Sequence, residues 1–279
     1  MTHQLPYEVN CSILFTELPL LERPAAVKAA GFDAVEFWWP FAEAVPADKD
    51  VDAFVAAVQD AGVQLVGLNF FAGNMPAGDR GLVSWGARSG EFHDNVDVTV
   101  GIGERLGCTA FNALYGNRVD GEAPQAQDEV GAENLALAAR AAARIGGTVL
   151  VEPVSGAERY PLLTAADALA VIDRAVVAGA GEANIGLLAD LYHLAVNGDD
   201  VDAVIAQHAA RIAHVQIADA PGRNEPGTGD LPLDRQLAAL EAAGYAGWVG
   251  LEYKPATTSA ASFDWLPRGG RTATTNAGG

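Results

Sequence analysis

The sequence predicts an α/β protein folded as a single (β/α)8 TIM barrel, and two observations carry that prediction. Short β-branched or aromatic runs alternate with longer alanine-rich segments of helical period, the pattern of repeated βα units around a parallel sheet. Eight strand segments with at least seven helices between them fit a closed barrel better than an open doubly wound sheet.

The strand segments are 7–13, 34–38, 64–70, 110–114, 148–152, 185–190, 212–218 and 248–253. Several open after a glycine that ends the preceding helix: Gly31, Gly62, Gly107 and Gly244. Glycine accepts the left-handed conformation that stops a helix, and a strand follows at once. The helical segments are 20–30, 51–61, 91–106, 127–145, 165–177, 201–209 and 234–243. In the last, Leu237 and Leu240 share an apolar face with Glu241 beside it. No GxGxxG fingerprint follows a strand, and Gly101-Ile102-Gly103 falls inside a predicted helix, which argues against a dinucleotide site. A chain of 279 residues suits one barrel, expected over 1–267. Residues 268–279, rich in glycine and threonine, read as a disordered tail.

Composition narrows the function classes. Asp and Glu number 36 against 17 Lys and Arg, a formal charge of −19. That excess repels phosphate backbones and anionic lipid, so neither nucleic acid nor a membrane is an expected partner. No apolar run approaches the length needed to span a bilayer, and the N-terminal residues carry no export signal, so cytoplasm is the default expectation. Cys11 and Cys108 are too few for a disulfide framework and lack zinc-site spacing; they read as buried thiols.

A barrel builds its active site at the C-terminal ends of its strands. The fifth to eighth strands end in Glu152, Asp190, Gln216 and Glu252. Neighbouring strands lie about 4.8 Å apart, so four inward oxygen side chains at one height can converge on one cation. Burying three carboxylates together is otherwise very costly, because each loses its hydration and all repel. Three carboxylates and an amide suit Mg²⁺ or Mn²⁺ rather than Zn²⁺.

His193, three residues past Asp190 at the start of a βα loop, is a candidate to touch substrate or support the metal ligands. His214 and His208 read as structural. The loop 219–230, rich in glycine and proline, reads as an ordered cover over the barrel mouth that carries Arg223, and Lys254 lies two residues past Glu252. A second glycine-bearing loop, 71–81, brings Arg80 to the same end. Glu158, after the fifth strand, joins these as a substrate-binding candidate. Trp38, Trp39, Phe41 and Trp85 are aromatic surface candidates compatible with a homodimer, though core packing accounts for such residues equally well.

These segments also carry a family resemblance. Phe71-Ala72-Gly73-Asn74, Ala77-Gly78-Asp79-Arg80-Gly81, Leu150-Val151-Glu152-Pro153, Asp190-Leu191-Tyr192-His193, His214-Val215-Gln216-Ile217-Ala218-Asp219, Glu225-Pro226-Gly227-Thr228-Gly229 and the run from Gly247 to Pro255 resemble the hydroxypyruvate isomerase family of xylose-isomerase-like barrels. The resemblance covers residues 9–265. It implies interconversion of hydroxypyruvate and 2-hydroxy-3-oxopropanoate (tartronate semialdehyde). It also implies Glu152 and Glu252 as the acid/base pair and a divalent metal held by Glu152, Asp190, Gln216 and Glu252. Two positions depart from the family pattern: Val154-Ser155 follows Glu152-Pro153 where Ile-Asn is usual, and Asn74 stands where aspartate is common. Both touch the pocket wall and leave the metal set intact, so they bear on the exact substrate more than on the reaction type.

The residues fit that chemistry independently. Moving a carbonyl between adjacent carbons needs a base to remove a proton α to it and an acid to return one to the neighbouring carbon, through an enediolate. Three other readings use the same barrel: a 2-oxo-tetronate isomerase or ketose 3-epimerase on a longer substrate, a non-catalytic sugar-binding barrel, and an endonuclease-IV-like nuclease. The last would need more histidine ligands and a basic face.

Overall fold

The computed structural model of the protein describes residues 2–271. Eight parallel strands close in sequence order: β1 (Tyr7–Asn10), β2 (Ala34–Phe37), β3 (Gln64–Asn69), β4 (Ala110–Asn112), β5 (Thr148–Val151), β6 (Ile185–Asp190), β7 (Ile212–Ile217) and β8 (Val249–Leu251), with β8 pairing back to β1. Around them lie α1 (Arg23–Ala29), α2 (Asp48–Ala61), α3 (Ser89–Leu106), α4 (Pro124–Ala143), α5 (Ala165–Val177), α6 (Leu191–Val196), α7 (Val201–His208) and α8 (Leu233–Ala242). All eight predicted strands and seven predicted helices are present. Gly31, Gly62, Gly107 and Gly244 take positive φ at the helix ends, as their position predicts.

Strand alternation divides the side chains. Those pointing outward, such as Phe37 and Phe111, pack beneath the helices; Phe37 meets Phe54 of α2 edge to face at 5.1 Å. On α4, Ala136, Ala138, Ala139 and Ala142 are fully buried, so alanine on that face brings the helix close to the sheet. A Cβ on Gly103 of α3 would stand 2.5 Å from the Phe111 ring, so glycine is required for that helix to seat. Inward residues are more polar, and register aligns them: Asp190 pairs with Gln216, Gln216 with Gly250, and Asn10 with Glu36. The β2–β3 register slips between Val35 and Glu36.

Two expectations are corrected. His193 does not sit in a loop. Asp190 caps α6 by accepting hydrogen bonds from the backbone N–H groups of Tyr192 (2.8 Å) and His193 (3.1 Å), which starts a helix directly at the strand end. The expected disordered tail also begins too early. Arg268–Gly270 forms a 3-10 turn, and buried Arg271 donates to the carbonyls of Ala30, Phe263 and Leu266 while lying over the Phe32 and Phe263 rings. The rest of that tail, 272–279, lies outside the described residues.

The mouth loops are tied down by buried side chains. Asn95 on α3 accepts from the Phe71 N–H (2.8 Å) and donates to the Ala44 carbonyl (2.8 Å), joining the loops after β2 and β3. Asn95→Ala leaves both backbone groups without that partner. It should lower stability by about 2 to 4 kcal/mol in urea unfolding with the slope unchanged. A loss below about 0.5 kcal/mol would contradict this role.

Candidate active site

Glu152 directly follows β5, Asp190 and Gln216 lie on β6 and β7, and Glu252 directly follows β8. All four are buried, with exposures of 4%, 0%, 2% and 3%. Ligand atoms of Glu152, Asp190, His193 and Glu252 lie within 4.8 Å of one another. Glu152, Asp190 and Glu252 therefore stand together at the end of the barrel with His193 beside them, and Gln216 joins them through its hydrogen bond to Glu252.

Each carboxylate is oriented by hydrogen bonds from a neighbouring strand or loop. Glu152 Oε2 accepts from Asn112 Nδ2 (2.7 Å), and its backbone carbonyl accepts from the buried Tyr160 hydroxyl (2.9 Å). Glu252 Oε2 accepts from Gln216 Nε2 (2.7 Å), Asn10 Nδ2 (2.9 Å) and Trp38 Nε1 (3.2 Å), while Oε1 is ion-paired with the Arg223 guanidinium. Asp190 spends Oδ1 on the cap of α6. Its Oδ2, like Gln216 Oε1, is buried without a hydrogen-bond partner among the described residues. Two orphaned oxygens beside two further carboxylates form a donor set for a hard, oxygen-seeking cation.

Electrostatics follow from this crowding. Burial, then the neighbouring Asp190 charge, pushes the Glu152 carboxyl up to about 8. Burial also holds Glu252 well above the usual carboxylate range, against the opposing pull of Arg223. The Arg223 guanidinium lies 3.8 Å from Asp190 Oδ2 and 5.3 Å from the centre of the Tyr192 ring.

His193 presents an N–H to this site. The Ser155 N–H donates to Nδ1 (3.0 Å), and the Ser155 hydroxyl lies 2.7 Å from the same nitrogen. A backbone N–H can only donate, so Nδ1 carries the lone pair and the ring proton sits on Nε2, 3.6 Å from Asp190 Oδ2 and 3.9 Å from Glu152 Oε1. Burial lowers this imidazole to about 4, so it is neutral near pH 7. Ser155, one of the two departures noted in the sequence, thus sets the tautomer of a site residue. Asn74, the other, instead caps a 3-10 turn through the Ala77 N–H.

Below this level sits a group that sequence reasoning left out. Glu8, Glu36 and His214 are buried, with ligand atoms within 4.8 Å of one another. His214, read from sequence as structural, is 2.9 Å from Glu36 Oε2 and 3.5 Å from Glu8 Oε1. Burial opposes its charge, but the hydrogen bond to Glu36 and the two carboxylates push it up to about 10. Its signal was available: His214 and Gln216 share a strand face at the two-residue period.

The cavity above the carboxylates measures about 720 Å³ and is lined on one side by Trp38, Met75 and Leu114. Arg223, Arg80, Lys254 and His193 also line it; Glu158 is exposed on its loop and lies outside it. The 219–230 loop is ordered by Asp219, which accepts from the N–H groups of Ala220, Gly227 and Leu231. Arg223 takes a left-handed φ of 57°, its N–H bound to the Asp219 carbonyl and its carbonyl accepting from the Lys254 N–H. Trp39 and Phe41, considered for a dimer surface, are half-buried and stack edge to face with each other.

Residues 24–269 match the xylose isomerase-like TIM barrel family. The chain belongs to that family. A Streptomyces coelicolor relative, itself named for hydroxypyruvate isomerase, is 56% identical over 96% of this chain and 97% of its own. The hydroxypyruvate isomerase of Escherichia coli is 31% identical over 94% and 98%, and the 2-oxo-tetronate isomerase of Cupriavidus necator is 32% identical over 93% and 96%. Among solved structures, an AP endonuclease family 2 protein from Brucella melitensis superposes with a TM-score of 0.84 at 32% identity, covering 94% and 98%. Within this xylose isomerase-like barrel no helix of the described residues is long and apolar enough to cross a membrane.

The two site histidines should titrate in opposite directions. In metal-free protein, nitrogen-15 NMR is expected to find His193 neutral at about pH 5.5 and His214 cationic at about pH 8.5. His214, raised in the fold, contributes stability present below its unfolded value and lost as pH rises through about 10. His193, depressed, contributes stability that is lost as pH falls from about 6.5 towards about 4. Rings that titrate together near their ordinary value would contradict the assignment.

Proposed function

We propose that this protein is a divalent-metal-dependent hydroxypyruvate isomerase, interconverting hydroxypyruvate and 2-hydroxy-3-oxopropanoate. The observation that carries the reading is the convergence of three buried carboxylates around the unpartnered oxygens of Asp190 and Gln216, which fits a hard divalent cation. Glu152, Asp190, Gln216 through Oε1, and Glu252 would hold it, with Mg²⁺ or Mn²⁺ the matching ions. When bound, the cation supplies positive charge that stabilises the enediolate oxygens.

The chain's own residues supply the rest. Glu152 and Glu252 take the proton roles: one removes a proton from C3 of hydroxypyruvate and one is returned to C2, while the C3 hydroxyl proton passes to the C2 oxygen, leaving the carbonyl at C3 and the hydroxyl at C2. In the metal-free protein burial raises both carboxyls above the usual carboxylate range; a bound cation would favour their charged forms and oppose that rise. Arg223, with Lys254 and Arg80 on the cavity wall, meets the substrate carboxylate. The neutral His193 offers its Nε2–H to a substrate oxygen. Gly222 and Arg223 of the 219–230 loop form part of the cavity wall above the carboxylates. The acidic chain gives no support to a nucleic-acid substrate.

The cavity favours one second reading. At about 720 Å³ it leaves room beyond a three-carbon acid, so a four-carbon 2-oxo-tetronate is the alternative substrate, using the same carboxylates.

The test is proton NMR in D₂O of metal-stripped protein restored with Mn²⁺ or Mg²⁺, supplied separately with hydroxypyruvate and a 2-oxo-tetronate. The expected result is metal-dependent 2-hydroxy-3-oxopropanoate carrying deuterium at the exchanged carbon. Glu152→Gln and Glu252→Gln should each lower turnover by about 10³-fold. Turnover of the four-carbon acid alone would replace the substrate; full activity in either variant would overturn the proton roles.

A further inference from the structure

The tier beneath the carboxylates is built to receive charge. Glu36 is buried at the β2–β3 register slip, and glycines on β3 and β8 make room for it. A Cβ on Gly67 would stand 3.1 Å from Glu36 Oε2, and one on Gly250 would stand 3.0 Å from Glu36 Oε1, 2.8 Å from Glu8 Oε1 and 2.9 Å from Gln216 Cγ.

Beside the neighbouring Glu8 carboxyl, three side chains donate to an ionised Glu36. Its Oε2 accepts from His214 Nε2 (2.9 Å); its Oε1 accepts from Gln216 Nε2 (2.6 Å) and Asn10 Nδ2 (2.8 Å). An ionised carboxylate has no proton to donate, so the Gln216 amide must turn its NH₂ towards it. Once that NH₂ bridges Glu36 and Glu252, Oε1 is the end left over, and it is the atom that lies buried without a partner among the described residues. Without a carboxylate at position 36, only Glu252 holds the amide in this sense, and Glu252 is itself one of the residues that would turn to the cation; once it does, nothing opposes the orientation that presents NH₂, which cannot bind a cation.

We propose that Glu36 is a positioning residue for the metal centre: by accepting from the amide of Gln216, with His214 as its anchor, it fixes which end of that amide is free to coordinate. This rests on the reading that Gln216 is a ligand, and the experiment separates the two ideas.

Mn²⁺ binding is followed by electron paramagnetic resonance of the free ion for wild type, Gln216→Ala, Glu36→Gln and the double variant. Glu36→Gln keeps side-chain size. It is expected to weaken Mn²⁺ binding by about tenfold or more, and Gln216→Ala by a similar factor. In the double variant the loss should stay within about twofold of Gln216→Ala, because Glu36 acts through that side chain. Wild-type affinity in Glu36→Gln alongside weakened binding in Gln216→Ala overturns the positioning role, as does a double variant with the product of the two losses. Wild-type affinity in Gln216→Ala overturns the ligand assignment itself and the inference with it. Loss of a second bound Mn²⁺ per chain in Glu36→Gln also overturns it, since Glu36 would then be a ligand in its own right. If Glu36→Gln does not fold, His214→Gln, which removes the anchor, enters the same cycle: a loss that vanishes in the Gln216→Ala background supports the role, and one that persists overturns it.

Discussion

Three carboxylates packed together out of water are the constraint to which the rest of this barrel answers. At an effective dielectric of about 20, two unit charges about 4 Å apart repel by about 4 kcal/mol, before the cost of removing their hydration. Glu152, Asp190 and Glu252 nevertheless lie within reach of one another with almost no solvent exposure. The structure offsets this with donors from around the ring: Asn10 from β1, Trp38 after β2, Asn112 from β4, Gln216 from β7 and Arg223 from the loop after β7. No single βα unit supplies more than a part of that set, so closure of the sheet is a condition of the site.

The ring of donors is incomplete in an informative way. Asp190 divides its two oxygens, one to start α6 and one left without a hydrogen bond near Arg223 and His193, and Gln216 divides its amide, NH₂ to two carboxylates and oxygen to none among the described residues. Compensation therefore stops short on the side where a cation would stand. The same division of labour fixes His193: the short helix capped by Asp190 carries it to Ser155, which pins the lone pair of one ring nitrogen and leaves the other to donate. Stability and chemistry meet in these residues, since the bonds that make the cluster tolerable also choose which atoms remain reactive.

Much of this was legible because a parallel barrel converts strand order into position. Alternating apolar runs and terminal glycines located all eight strands, with their C-terminal ends placed up to three residues too far along, as at Asn10, where the chain turns off the sheet sooner than its apolar content suggests. Glu152, Asp190, Gln216 and Glu252 stood out because each closes a strand. Glu8, Glu36 and Asn10 did not, since an acid or amide inside a strand gives no sign from sequence that its neighbours are glycines making room. His193 was noticed, but its helix was not: six residues are too few for a periodic signal, and the cap, Asp190, was read only as a metal-ligand candidate. Glu158 shows the converse, a carboxylate close in sequence to the site that the loop turns out to solvent. Arg271 was missed because glycine-rich flanks hid a side chain that closes over two phenylalanine rings.

The most direct measurement is a crystal structure of the protein soaked in Mn²⁺, with anomalous scattering used to locate the ion. The account predicts one anomalous peak among Glu152, Asp190, Gln216 and Glu252, about 2.1 to 2.3 Å from their oxygens, with Gln216 bound through Oε1 and Arg223 withdrawn from Glu252. A peak on Glu8, Glu36 and His214, or no peak with Arg223 still paired to Glu252 at saturating Mn²⁺, would contradict it.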